Sequence, residues 1–119
     1  VNERLVKAVF AKYAPAGGGL TQSGTLGNGA SAYVPNTTPG YITAGNGTIT
    51  GSLTGVTGTD FELFLFKWTG SAWTKVASST GPTSTESISY AASAGYYYFE
   101  VKSYSGSGSY TARYAFPPQ

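Results

Sequence analysis

The chain has 119 residues, enough for one domain with its own core. Charged residues make up 10% of it and the net charge is +2, which excludes a basic nucleic-acid patch and a basic membrane-binding face. Cysteine and histidine are absent, so there is no disulfide framework, no thiolate zinc site and no Ser–His–Asp catalytic arrangement.

Asn2 to Ala14, NERLVKAVFAKYA, is the only helix-like stretch. Asn2 can cap it, Leu5, Val6, Val9, Phe10 and Tyr13 form one apolar stripe, and Pro15 stops it. APAGGGLTQSG then reads as a flexible linker. Residues 1–22 are therefore expected to be a helix or linker from an upstream domain, and residues 23–119 a β domain. Two uses of the helix stay open, a connecting segment or a helix that docks on the sheet. The chain starts at Val1-Asn2 without a methionine, as expected of a piece cut from a longer precursor.

From Thr25 onward the pattern is β. Strands are predicted over 30–34, 47–54, 60–68, 73–79, 84–90, 96–104 and 109–116, separated by clusters of Gly, Pro, Asn and Ser. Short strands at this spacing predict an all-β fold, an antiparallel β-sandwich or barrel. Aromatic content of 15% supplies the core.

Two hairpins follow from the spacing. A loop at Thr69–Ala72 pairs Trp68 with Trp73, Phe66 with Lys75 and Leu65 with Val76. Phe61, Leu63 and Leu65 then share the core face, and Asp60, Glu62, Phe64, Phe66, Trp68 and Trp73 share the other. A loop at Ser105–Gly108 places Val101 opposite Ala112, Phe99 opposite Tyr114 and Tyr97 opposite Phe116, all inward. Tyr96, Tyr98, Tyr104, Glu100, Lys102 and Arg113 then face water, with Glu100 and Arg113 as a cross-strand ion pair worth at most about 1 kcal/mol.

The pieces Asp60-Phe61-Glu62-Leu63, Lys67-Trp68 with Trp73, Glu86-Ser87-Ile88-Ser89-Tyr90, Ala94-Gly95-Tyr96-Tyr97 and Tyr104 to Thr111 carry a resemblance. In order and spacing, residues 23–116 resemble the bacterial pre-peptidase C-terminal (PPC) domain, in the version that follows secreted actinobacterial proteases. The resemblance implies a jelly-roll-like sandwich, secreted at the end of a protease or another hydrolase and in some relatives removed on maturation. The collagen-binding domains of clostridial collagenases are similar in fold, and there a tyrosine-bearing sheet face docks on the substrate. Several relatives bind calcium. This chain departs on that point, since Asp60 is its single aspartate and only Glu62 lies near it.

Three chemistries can be weighed. For catalysis, the composition leaves a Ser–Lys pair, and serine is so common that any lysine has one nearby. Asp60 and Glu62, roughly 6–7 Å apart along one strand face, resemble a glycosidase pair, but such pairs flank a cleft from different strands. For calcium, Asp60 and Glu62, with Glu3 and backbone carbonyls, fall short of the six to eight oxygens a hard cation takes; a solvated strand end is the simpler reading. The third feature is an outward aromatic set, Phe64, Phe66, Trp68, Trp73, Tyr96, Tyr98 and Tyr104, which forms one patch if strands 60–68 and 96–104 are neighbours.

The expectation is thus a non-catalytic C-terminal accessory domain of a secreted, extracellular hydrolase, a protease by the resemblance, that anchors the enzyme to polymeric substrate such as fibrous protein or polysaccharide. Its substrate-binding residues are Tyr96, Tyr98, Tyr104, Trp68, Trp73 and Lys102. Its expected partners are that polymer and the parent catalytic domain, with no nucleic acid and no membrane, and the chain acts as a monomer. A carbohydrate-binding module and a folding or secretion appendage without ligand are the alternatives.

Overall fold

The computed structural model describes residues 19–119, so the helix read over Asn2–Ala14 lies outside the described residues. Nine strands follow in order: β1 Leu20–Leu26, β2 Ser31–Val34, β3 Ile42–Ala44, β4 Gly47–Gly55, β5 Asp60–Trp68, β6 Trp73–Ser79, β7 Thr85–Ala92, β8 Gly95–Ser105 and β9 Gly108–Ala115. One sheet has the order β1-β9-β4-β7, and the other β2-β8-β5-β6 with β3 added beside β8. All pairings are antiparallel. The two sheets pack face to face as a jelly roll, the sandwich expected from the strand spacing.

Two strands had no clear signature. β1 starts inside the segment read as linker, and its inward positions Gln22 and Gly24 are not hydrophobic. Gln22 does the joining instead. Its amide donates to the Tyr33 carbonyl at 3.0 Å and to the Tyr110 hydroxyl at 3.1 Å, and it accepts from the Asn36 N–H at 2.9 Å. β1 is thereby tied to the neighbouring edge of the other sheet. β3 is only three residues long and sits in a Pro- and Gly-rich stretch.

The 105–108 hairpin does not form. β8 and β9 belong to different sheets, and the chain crosses the sandwich between them. The corner is built by close approach: Ser103 donates its hydroxyl to the Gly106 carbonyl at 2.6 Å, and Gly106 N–H donates to Asn28 Oδ1 at 2.8 Å. Gly108, at φ 153°, leaves room for Val56, whose Cγ2 would stand 2.5 Å from any β-carbon there. Alternation alone could not tell the two arrangements apart, because both send the same residues inward. Phe99 and Tyr114 do meet, at 5.9 Å, but across the core rather than along a ladder. Glu100 and Arg113 accordingly form no cross-strand pair. Glu100 lies between Tyr33 and Phe64 in one sheet, and Arg113 between Thr21 and Ser52 in the other.

The 69–72 hairpin forms with Trp68 opposite Trp73 and Phe66 opposite Lys75. A bulge then inserts Val76, so Leu65 faces Ala77 rather than Val76. The core is asymmetric in size. Phe61, Leu63, Leu65, Tyr97, Phe99 and Val101 line one inner face, all at most 2% exposed. Opposite Phe99 stands Gly51 in the middle of β4, where a β-carbon would lie 2.6 Å from the Phe99 ring. The outer face of the β1-β9-β4-β7 sheet carries short hydroxyl side chains, among them Thr48, Thr50, Ser52 and Thr54 of β4 and Ser87 and Ser89 of β7, with Arg113 of β9.

Gly51→Ala is expected to lower stability by about 1–3 kcal/mol, the usual cost of overpacking a filled core. Denaturant unfolding checks it. Phe99→Leu in the same chain should recover part of the loss, giving a non-zero coupling in the double-mutant cycle.

Candidate functional site

β5 and β8 are neighbours with Phe66 opposite Tyr98, so the outward aromatics gather on one face. The face has two halves. At the end where β8 begins, seven rings touch in series. Tyr96 meets Tyr41 at 5.0 Å, and Tyr41 meets Trp73 at 6.2 Å. Trp73 meets Trp68 at 5.4 Å and Tyr98 at 4.7 Å. Tyr98 lies flat on Phe66 at 5.0 Å and 12° and takes Tyr33 edge-on at 5.7 Å. Edge-to-face and offset contacts at these separations are the favourable geometries for rings, each worth about 0.5–1.5 kcal/mol beyond burial.

Tyr98, like Trp73, has three ring partners in this series, and it is half-buried. Burial, then the neighbouring Tyr33 and Glu100, pushes its hydroxyl above the ordinary phenol range. The rings that reach water furthest are Tyr33 at 50% and Tyr96 at 43% exposure. Between Tyr41, Trp68, Trp73 and Tyr96 lies an open notch of about 230 Å³.

Tyr33 and Tyr41 were not among the expected binding residues. Tyr33 had a local signal, since Ala32 and Val34 on either side point inward. Tyr41 had none, because it follows Pro39-Gly40 in a stretch that reads as loop. Tyr104, by contrast, takes part in none of these ring contacts. It is the extra residue of a bulge, with Ser103 opposite Phe61 and Ser105 opposite Asp60, and it stands 68% exposed at the far end of β8.

The other half of the face is charged. Glu62 lies opposite Lys102, and Phe64 opposite Glu100, which accepts from the Ser31 hydroxyl at 2.8 Å. Phe64 is buried, with Lys75 Nζ 4.2 Å above its ring. Lys102 therefore sits among carboxylates, away from the notch. Burial raises the Glu62 carboxyl above its ordinary value, and Asp60 and Glu86 add to the effect against Lys102 and Lys75. Among the described residues, no group of three or more acidic side chains is placed to hold a metal ion.

No family model matches the chain. Among solved structures it is similar to the Yersinia pseudotuberculosis-derived mitogen, with a TM-score of 0.63 and 14% identity over 85% of this chain and 87% of that one. It is also similar to the pre-peptidase C-terminal domain of a collagenase from Bacillus anthracis, with a TM-score of 0.61 and 20% identity over 78% of this chain and 85% of that one. The fold is therefore the one the sequence resemblance implied, shared with an accessory domain and with a protein of quite different description.

Because the folded state holds the Glu62 proton more tightly than the unfolded chain does, it gains stability on the acid side. That gain is present below the ordinary carboxylate range and is lost as pH rises through the raised value. Glu62→Gln should melt higher than the parent at pH 7, and the difference should close below about pH 4. Melting curves across pH check both the sign and the closure.

Proposed function

We propose that this domain is the non-catalytic accessory unit of a secreted hydrolase, most specifically a protease, and that it holds the enzyme on polymeric substrate. The observation that carries the reading is the seven-ring series on one outer face, ending in exposed Tyr33 and Tyr96. Contiguous apolar surface of this kind on a soluble domain marks a contact site. Rings locked against one another add to this, because little side-chain freedom remains to be lost on binding. Tethering raises the concentration of enzyme at the substrate without any catalytic contact from the domain itself. The absence of histidine and cysteine from the chain leaves it no Ser–His or Cys–His pair to use.

The roles within the patch differ. Tyr33, Tyr41, Trp68, Trp73 and Tyr96 form the contact surface, and Tyr98 with Phe66 supports it from below. Tyr104 and Lys102 lie outside the patch and contribute little. Secretion and the protease parent are supported by the fold likeness to a collagenase accessory domain.

Adsorption to insoluble polymers (collagen, keratin, chitin, cellulose, xylan) tests the reading. Tyr96→Ala should cut adsorption at least tenfold with only a small fall in melting temperature from its one lost ring contact, and Tyr104→Ala should leave both unchanged. Tyr98→Ala should lower stability by about 1 kcal/mol or more through its lost ring contacts. Equal adsorption by parent and Tyr96→Ala would sink the anchoring role.

A further inference from the structure

We infer, resting on the anchoring role above but not on the parent being a protease, that the notch between Tyr41, Trp68, Trp73 and Tyr96 is a subsite for one neutral pyranose ring, so that the anchored polymer is a neutral polysaccharide. Three features carry this. The first is size. At about 230 Å³ the notch is smaller than the 300–1,000 Å³ typical of cofactor and drug-sized sites, which leaves space for a single ring unit. The second is the chemistry of its walls. All four lining residues are aromatic, with neighbouring rings tilted by 42° to 64°. They meet the C–H faces of a sugar from more than one side, and their only polar groups are two indole N–H donors and two phenol hydroxyls. Those are neutral partners for neutral hydroxyls.

The third feature is charge. No lining residue is acidic or basic, and the lysines of β5 and β6, the strands that carry Trp68 and Trp73, are engaged elsewhere. Lys67 Nζ donates to Ser93 Oγ at 2.7 Å, and Lys75 Nζ sits over the Phe64 ring. Nothing in the notch would neutralise a uronate or a sulfate. The competing ligand is a polyproline-type protein strand. Such a strand presents the same face every third residue, about 9 Å apart, and needs notches in series. On the side of Tyr98 no second aromatic notch opens, because that ring is packed flat on Phe66 and edge-on to Trp73, and the hollow beyond Tyr96 is lined by Thr43, Asn46 and Gln119 with no further ring.

Both tryptophans of the chain line the notch, so intrinsic fluorescence reports on it directly. The full chain is titrated with cellohexaose, chitohexaose and xylohexaose, and in parallel with a polygalacturonate oligomer and a triple-helical Pro-Pro-Gly peptide. A saturable emission shift is expected with at least one neutral oligosaccharide and with neither of the others. Its Kd should rise at least tenfold in Tyr41→Ala and Tyr96→Ala and stay unchanged in Tyr104→Ala. Should Tyr41→Ala not fold, acrylamide quenching of the parent decides: saturating sugar must shield the tryptophans, and unshielded tryptophans overturn the subsite. A shift with the peptide alone overturns the sugar assignment and leaves the anchoring role standing. No shift with any probe, together with no adsorption to any polymer, removes both.

Discussion

Phe99 and Phe61 reach across the sandwich into space that Gly51 and Gly55 leave open, with ring atoms where a β-carbon on either glycine would stand 2.6 Å away. At these two points one sheet supplies a large ring and the other a missing side chain. Burying a side chain of that size is worth about 1.5–3 kcal/mol, and the gain depends on the glycine opposite. The same division sets how the faces are used. Because the inner rings alternate with outer ones along β5 and β8, filling the core with Phe61, Leu63, Leu65, Tyr97 and Phe99 obliges Phe66, Trp68, Tyr96 and Tyr98 to point outward together.

The jelly-roll connections then keep the two outer faces chemically separate. Of the links between consecutive strands, β5–β6 is a ladder-forming hairpin and most others cross between sheets. Polar side chains close the open sides. Gln22 ties β1 to the β2 side, and Glu86, buried on β7, accepts from the Ser79 hydroxyl at the end of β6 and from Gly81 N–H. Such groups look out of place in a core when read along the chain, because a partner they bond comes from the other sheet.

That is also where the sequence was legible and where it was not. β5 and β6 could be placed to the residue, since their aromatic–acidic alternation and the Thr69–Ala72 turn are local signals. The inward and outward sets of β8 and β9 were equally legible, but their pairing was not, because period-two alternation says which face a residue takes and nothing about which strand lies beside it. The site divides in the same way. Trp68, Trp73, Tyr96 and Tyr98 sit together as strand neighbours; Tyr41 joins them from a loop through tertiary contact, and Tyr104 stands apart because it lies six residues beyond Tyr98, roughly 20 Å along β8.

The hydroxyl-bearing outer face of the β1-β9-β4-β7 sheet has a consequence of its own when set against the rings on the opposite side. One broad surface is readily wetted, and the other sheds water over the span of its rings. A slab built in this way is surface-active. At a boundary between water and a less polar phase it has a preferred attitude, rings toward the poorer solvent, before any ligand is recognised. On the proposed anchoring role, the first step of capture at a solid is then a matter of orientation, with recognition following once the right side is already down.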